Sequence, residues 1–587
     1  MDIGVPSVRN LFRIKRERRW LWIAIGLTSI PLHLLYNSAV YTSLAANDIL
    51  VTIVANNHFE HRAYSNMTEE LVRYFSALPP TREMRYGYPD IQLFRGVLDG
   101  YDASTNTYED LTLSECTKLC NTDFLSNRRN LFLITKRGSA TFLNKTLLNI
   151  INVRSEGISP SSWMFMSHSG GITGVYRATS PGCSSNELMS NVTSGLPWLV
   201  KLGTREDVEI TGCTSERTTE KCKVQFSLGI MIVVICCNLV KACCMVMAVV
   251  RSREPTLVTL GDAVDSFLEI PDTTTMGICF ADRRFIEREW RRGWRTGPRQ
   301  WKQKGVQRWW TSVSKTRWIT CNFFCSITII VAGMLLSWGM ENDGNYWSTD
   351  IKSMWAKGLG KVNSVSLVAI APKNITQAIL LANLPQTILS FLYLTYNSLF
   401  TCMLSGHEWS LFSHHHRTLR VTSPRPGQRF TYWLQIPYTY AIPLMTLSGL
   451  LHWLTSQSIF LARVEISDPL GKETTTTVNT VGYSCIAIIF VLPLGILALL
   501  TAAGMGYKPF AAETTTVSSC SAAISAACHA WGENSEDIRG KKVRWGDVGP
   551  VPNLGVRHLT FSSEEGVRKP VFGEVYAGVG REGVDLS

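Results

Sequence analysis

The stretch AILLANLPQTILSFLYLTYNSLFTCML, Ala378–Leu404, carries no Asp, Glu, Lys or Arg. It exceeds the ~20 residues needed to cross the hydrocarbon of a bilayer. Backbone groups in hydrocarbon find no water, so such a run has to pair its own N–H and C=O groups as a helix. Five more stretches share this character: Trp20–Tyr41, Phe226–Val250, Trp318–Met340, Tyr432–Leu461 and Val481–Met505. The fifth in chain order, Tyr432–Leu461, is the least regular, because Pro437 and Pro443 each remove a donor. The expectation is a membrane all-α fold: a six-helix transmembrane bundle with a large extracellular or lumenal α+β or mainly β domain between helices one and two.

Composition agrees. Of 587 residues 45% are apolar and only 18% charged, which excludes disordered chains, while the absence of a Gly period or heptads excludes collagen and coiled coils. The net charge of +12 is unevenly spread. Arg9, Arg13, Lys15, Arg16, Arg18 and Arg19 precede the first span, and Arg251 to Arg317 form a second basic block. The positive-inside rule puts both in the cytoplasm. The chain then divides into a basic N-terminus (1–19), span one (20–41), an outer domain (42–225), span two (226–250) and a basic Trp-rich inner loop (251–317). Span three (318–340), an outer loop (341–377), span four (378–404) and an inner loop (405–431) follow. Span five (432–461), an outer loop (462–480), span six (481–505) and a cytoplasmic tail (506–587) complete it. The sequons at Asn66, Asn144, Asn191 and Asn374 all fall in outer segments, as glycosylation requires. A plasma-membrane or secretory-pathway location follows from this reading. The first span reads as an uncleaved anchor; the alternative is a signal peptide cut near Ser43-Leu44-Ala45.

Cys116, Cys120, Cys183, Cys213 and Cys222 lie in the outer domain, where an oxidising compartment favours disulfides. Metal ligation by Cys116 and Cys120 lacks companion ligands at zinc-site spacing. Leu131–Thr135 and Val208–Ile210 read as strands.

Polar side chains inside spans are costly and so face neighbours or a wet cavity. His33 and Asn37 share a face of span one, and Asn238 and Lys241 a face of span two, with Lys241 positioned to snorkel inward. Asn383, Gln386, Ser390, Tyr393 and Asn397 recur at spacings of three and four in span four, and His452 lies on a polar face of span five. Two readings stay open: helix-to-helix contacts, or a path for solute or proton with His33 and His452 as titrating members.

No phosphate loop, dinucleotide fingerprint, HExxH or GxSxG is present, so no enzyme, metal or cofactor is expected. Trp290, Trp294, Trp301, Trp309, Trp310 and Trp318 interleave with Arg and Lys, which beside two spans reads as an interfacial stretch meeting anionic lipid headgroups rather than nucleic acid. Gly297-Pro298 divides that stretch into two short helices, and the tail reads as partly flexible and partly docked.

Several blocks resemble the uncharacterised fungal multi-pass membrane protein family with domain of unknown function 6536. They are PLHLLYNSAVY (Pro31–Tyr41), TLGDAVDSFLEIPDTTT (Thr259–Thr275), ANLPQTILSFLYLTYN (Ala382–Asn397), GQRFTYWLQIPYTYAIPLM (Gly427–Met445), LHWLTSQSIF (Leu451–Phe460) and CSAAISAACH (Cys520–His529). The resemblance spans nearly the whole chain and implies a fungal membrane protein, with no activity or cofactor to carry over. A His-Cys-Ser-Phe pattern of that family lacks its Cys here, at His558-Leu-Thr-Phe. In the second block Asp262, Asp265 and Glu269 align on one helical face, which reads as a solvated stripe with Ala263, Phe267 and Ile270 packed inward, or as a cation or partner site. The expected function is a transporter or channel-like protein; the alternative is a surface sensor or adhesion protein acting through its outer domain. Oligomeric state is open.

Overall fold

A computed structural model of the chain describes residues 1–59, 96–97, 107–122, 124–136, 146–153, 164, 189–190, 192–202, 206–219, 223–251, 256–288, 297–302, 305–344, 349–364, 366–368, 374–432, 434–471, 474–517, 519–530, 538–551 and 555–578. Six long helices occupy the expected places: α1 Arg16–Leu35, α2 Leu228–Arg251, α3 Lys315–Gly344, α4 Ile375–His414, α5 Tyr438–Ser458 and α6 Cys485–Tyr507. Four of them, α2, α3, α4 and α6, are long and apolar enough to cross a membrane. Charges fill the first turn of α1, and Tyr, Thr, Ser, His and Gln recur through α5, so neither has as long an apolar run.

Span boundaries are corrected, that of span six among them: it does not begin at Val481, because Thr474–Tyr483 is a strand and α6 starts at Cys485. Span one does not reach Tyr41, because α1 ends at Leu35 and Val40–Asn47 is a strand. Span five neither begins at Tyr432 nor ends at Leu461. Pro437 opens α5, where helix N–H groups lack partners anyway, and a strand begins at Ile459. The expected loop 462–480 is mostly a hairpin of Ile459–Ser467 with Thr474–Tyr483.

Those strands belong to one sheet, ordered Thr474–Tyr483, Ile459–Ser467, Val40–Asn47, Lys223–Phe226. Each runs into a helix: α6, α5, α1 and α2 respectively. The segment between α3 and α4 adds to its edge, with Val368 N–H donating to Val481 O (2.9 Å) and Tyr483 N–H to Ser366 O (3.0 Å). One end of each of these six helices therefore lies at this sheet, the end called outer after the charge-based expectation.

Beyond it stands a larger sheet ordered Tyr108–Thr112, Glu206–Arg217, Arg128–Thr135, Ile49–Ala55, Leu147–Val153, with Trp198–Leu202 paired to Glu206–Arg217. The strand Ile49–Ala55 is buried along its whole length, as a central strand covered on both faces must be. Leu131–Thr135 and Val208–Ile210 both lie in strands of this sheet.

The opposite end holds a second folded body. Its sheet is ordered Arg544–Pro550, Arg557–Ser562, Val575–Tyr576, Arg299–Gln300. Trp301, Trp409, Phe412, Trp545, Phe561 and Tyr576 share its core with the helix Leu260–Glu269. The rings are in register, Trp409 lying 5.9 Å from Trp545 and 5.4 Å from Phe561. The core draws on residues from the inner loops, the end of α4 and the tail. This overturns the interfacial reading of Trp301 and Trp309, both buried, and the division of that stretch into two helices, since Arg299–Gln300 is a strand. Trp290 and Trp294 lie outside the described residues. The all-α description also gives way here: mixed helix and sheet occupies both ends.

Helix α4 has 40 residues, ~60 Å at 1.5 Å per residue, about twice the ~30 Å apolar layer. It carries Asn383 and Gln386 in the bundle and Trp409 and Phe412 in the inner core.

Truncating a core aromatic leaves a large cavity, so Trp545→Ala should cost ~3–5 kcal/mol. Limited proteolysis in detergent should then cut the tail earlier while the outer domain resists as in the unaltered chain.

Candidate functional site

Helix α4 turns Asn383, Gln386 and Ser390, spaced three and four apart, toward α1. Asn383 is buried and its amide donates to Ser38 Oγ (2.8 Å). The Asn37 amide donates to Gln386 Oε1. Ser390 Oγ lies 3.3 Å from His33 Nδ1 and also donates to Gln386 O (3.0 Å). On the other side of α1, Lys241 Nζ donates to Ser29 Oγ (2.9 Å). Side chains of α1 and the turn after it are thus bonded to α2 and α4, while among the described residues half-buried His452 of α5 makes no hydrogen bond to this set.

Three expected members stand apart. Asn238 is exposed on α2, Tyr393 packs against the apolar cluster toward the inner end, and Asn397 takes part through its carbonyl, which accepts from Thr401 Oγ1 (2.8 Å). Lys241 departs from its reading too: its ammonium turns to Ser29 within the bundle rather than to the inner boundary. Ser29 and Ser38 were not legible as members, because serines in apolar helices usually bond their own i−4 carbonyl, as Ser29 also does to Ile25 O (2.7 Å).

The acidic stripe divides: Asp262 and Asp265 are drawn into contacts with other elements, while Glu269 stays exposed. Asp262, 8% exposed, caps its own helix and accepts from Thr422 N–H (2.7 Å) and Thr422 Oγ1 (3.0 Å). Asp265 pairs with Arg539 (2.7 Å), which also reaches Glu269 (2.9 Å). The Arg539 side chain is only 3% exposed, and its hydrogen bonds to Asp265 raise its pKa further. The Arg539 contact holds the Glu269 carboxyl below its usual range. Two close approaches permit this clamp. A Cβ on Gly261 would strike Arg420 O, and Gly427, at φ +87°, leaves room only for Gly540 O. Ile270, expected to pack inward, is exposed. Among the described residues no group of three or more His, Cys, Asp or Glu side chains is placed to hold a metal.

Asp2 forms a second junction, pairing with Arg283 (3.5 Å) and Arg317 (3.1 Å). Burial alone would push its carboxyl up; the Ser7 hydroxyl and the guanidiniums of Arg283, Arg317 and Arg9 outweigh that and hold it below its usual value. His558 is buried with Nδ1 2.8 Å from Ala577 O and Nε2 2.8 Å from His529 O, and its neighbour Leu559 is fully buried in the same core. Burial pushes the Cys279 thiol up to about 12, an inert thiol. A cavity of about 20 Å³ lined by Glu408, Arg420 and Gln435 has room for about one water.

In the outer domain the Cys116 and Cys213 sulfurs are at bonding distance, with Cα atoms 6.2 Å apart. Cys120, one of the five in which an odd count leaves one thiol over, is buried and without a disulfide among the described residues, its thiol pushed up to about 12 by desolvation. Cys183 and Cys222 lie outside the described residues, as do Asn66, Asn144 and Asn191. Asn374 is exposed at the N-cap of α4.

The long apolar helices place the chain among membrane proteins. Residues 295–578 match a domain of unknown function (DUF8419), and residues 1–43 match a family of unknown function (DUF6536). The second match covers the block Pro31–Tyr41; the blocks from Ala382 to His529 fall inside the first. No curated protein and no solved structure matches the chain.

A carboxyl whose pKa is lowered on folding stabilises the fold above its unfolded value of ~3.9 and loses that contribution as pH falls through the folded value. Asp2→Asn should therefore lower stability at pH 7 by ~1–3 kcal/mol and flatten the acid limb of a thermal-melt series from pH 6 to pH 3.

Proposed function

We propose that the protein is a six-pass membrane protein whose bundle passes a small solute or ion, a transporter or channel-like protein. One observation carries this reading: polar groups of α1 and the turn that follows it pair with α2 and α4 within otherwise apolar spans, Ser29 with Lys241, His33 with Ser390, Asn37 with Gln386 and Ser38 with Asn383. Both termini lie in the cytoplasm on the charge rule, and the sequon-bearing domain, with its Cys116–Cys213 disulfide, lies outside. At the inner boundary Arg308 stacks 3.4 Å over Tyr507 beside exposed Trp310 and Lys508, a pairing suited to anionic lipid headgroups. The test is flux in proteoliposomes with the double variant Asn383→Leu, Gln386→Leu. We expect flux to fall at least tenfold while size-exclusion profile and disulfide remain. Unchanged flux from a folded variant would rule these pairs out as the path.

A second reading, sensing through the outer domain, is favoured by the strands that adjoin α2, α5 and α6 and, through the turn Tyr36–Ser38, α1. On that reading a bound cell-wall or peptide ligand alters hydrogen exchange in the inner core, and exchange confined to the outer sheet would count against it.

A further inference from the structure

Exposed apolar side chains crowd one short stretch at the inner end of α1. Val8 is 65% exposed, Phe12 73% and Trp20 68%, and Trp22 beyond them is exposed too. Val8 and Phe12 stand four apart across the helical turn Val8–Leu11, so they share one face. The other face is tied to the inner body. Arg9 pairs with Glu287, and the Asn10 side chain donates to Asp2 O (2.6 Å) and accepts from Asp2 N–H (2.9 Å). The turn is thus held with its apolar face outward.

Between this face and Trp20 lie Arg13, Lys15, Arg16 and Arg18, all exposed. Arg13, Lys15 and Arg16 meet no acid among the described residues. Glu17 fixes the level of the stretch, because it pairs with Arg251 (3.4 Å), the last residue of α2. Helix α2 is apolar enough to cross a membrane, and its exposed Val249 and Val250 close the apolar run at that point. Residues 8–19 therefore sit where the hydrocarbon of a bilayer gives way to its headgroups. A basic stretch with exposed Phe and Trp lies in that interface, its apolar face ~5–10 Å deep and its cations among anionic headgroups. Trp301 and Trp309 are buried within the protein and leave this role to residues 8–22.

We infer that residues 8–22 form a docking surface for anionic phospholipid headgroups. Val8 and Phe12 are its apolar wedge, and Arg13, Lys15, Arg16 and Arg18 its headgroup contacts. Through Arg9 and Asn10 the same turn seats the inner body against the membrane. The inference rests on the six-pass part of the reading above and does not need passage.

The experiment uses the full-length chain in nanodiscs of phosphatidylcholine, alone or with phosphatidylserine, and reads amide hydrogen exchange. Residues 8–19 should exchange about tenfold more slowly with phosphatidylserine present. High salt should remove that difference, because it screens exposed charges. Arg13→Gln, Lys15→Gln and Arg16→Gln together should remove it as well. Val8→Ser with Phe12→Ser should speed exchange in both discs and leave the fold intact, since both side chains are exposed. Exchange of residues 8–19 that ignores lipid charge, while residues 23–35 stay protected, would overturn the inference and leave the six-pass reading standing. Free exchange of residues 23–35 in a folded protein would remove span one, and with it both.

Discussion

Backbone hydrogen bonding where the helices leave the apolar layer organises this molecule. A helix that ends in hydrocarbon exposes carbonyls or amides with no partner. Here four helices avoid that by leading into strands of one sheet, α1 through the 3-10 turn Tyr36–Ser38, so the pairing within α1, α2, α5 and α6 is taken up by pairing between their extensions. The registers Leu44 to Val464 and Val40 to Phe226 tie α1 to α5 and α2 well beyond their own packing. Outer sheet and bundle are one hydrogen-bonded frame, and Asn130, donating to Pro469 O (2.9 Å), fastens the larger outer sheet onto it.

Helix α4 is the exception, and its difference is informative. It starts at the outer sheet edge and continues into the inner core without a break in secondary structure, although Pro385 removes one donor. Amides near its first third bind α1, and aromatic residues near its end bind the tail. A rotation or shift at Asn383 is therefore felt at Trp409, because a helix transmits rigid motion along its length. The polar pairs and the inner core are mechanically joined by covalent structure rather than by a string of weak contacts.

Much of the bundle was legible because the signal is local. A charge-free run such as Ala378–Leu404 needs no partner to declare itself a helix, and the spacing of Asn383, Gln386 and Ser390 places them on one face before any neighbour is known. The ends were harder. VYTSLAAN and IFLARVEIS are apolar enough to prolong a span, and only their partners across the sheet make them strands. The inner core was misread for the same reason. Trp301 among arginines looks interfacial until Trp409 and Trp545, more than a hundred residues away in each case, close around it. Asp265 declares an exposed charge in its own helix; Arg539 turns it into a buried clamp. Tyr393 and Asn397 kept the periodicity of the stripe, yet Tyr393 packs against apolar side chains and Asn397 bonds through its carbonyl, so periodicity alone overextended it.

The inner body has a further consequence for biosynthesis. Asp2 and Ser519, whose side chains meet at 3.4 Å, are 517 positions apart. At ~5–20 residues per second, roughly half a minute to two minutes of translation separates them. Until the final helix has been threaded, Trp301 and Trp409 have no Trp545 to shield them. The core around Trp301 and Trp409 is therefore closed only after the last long helix has been made.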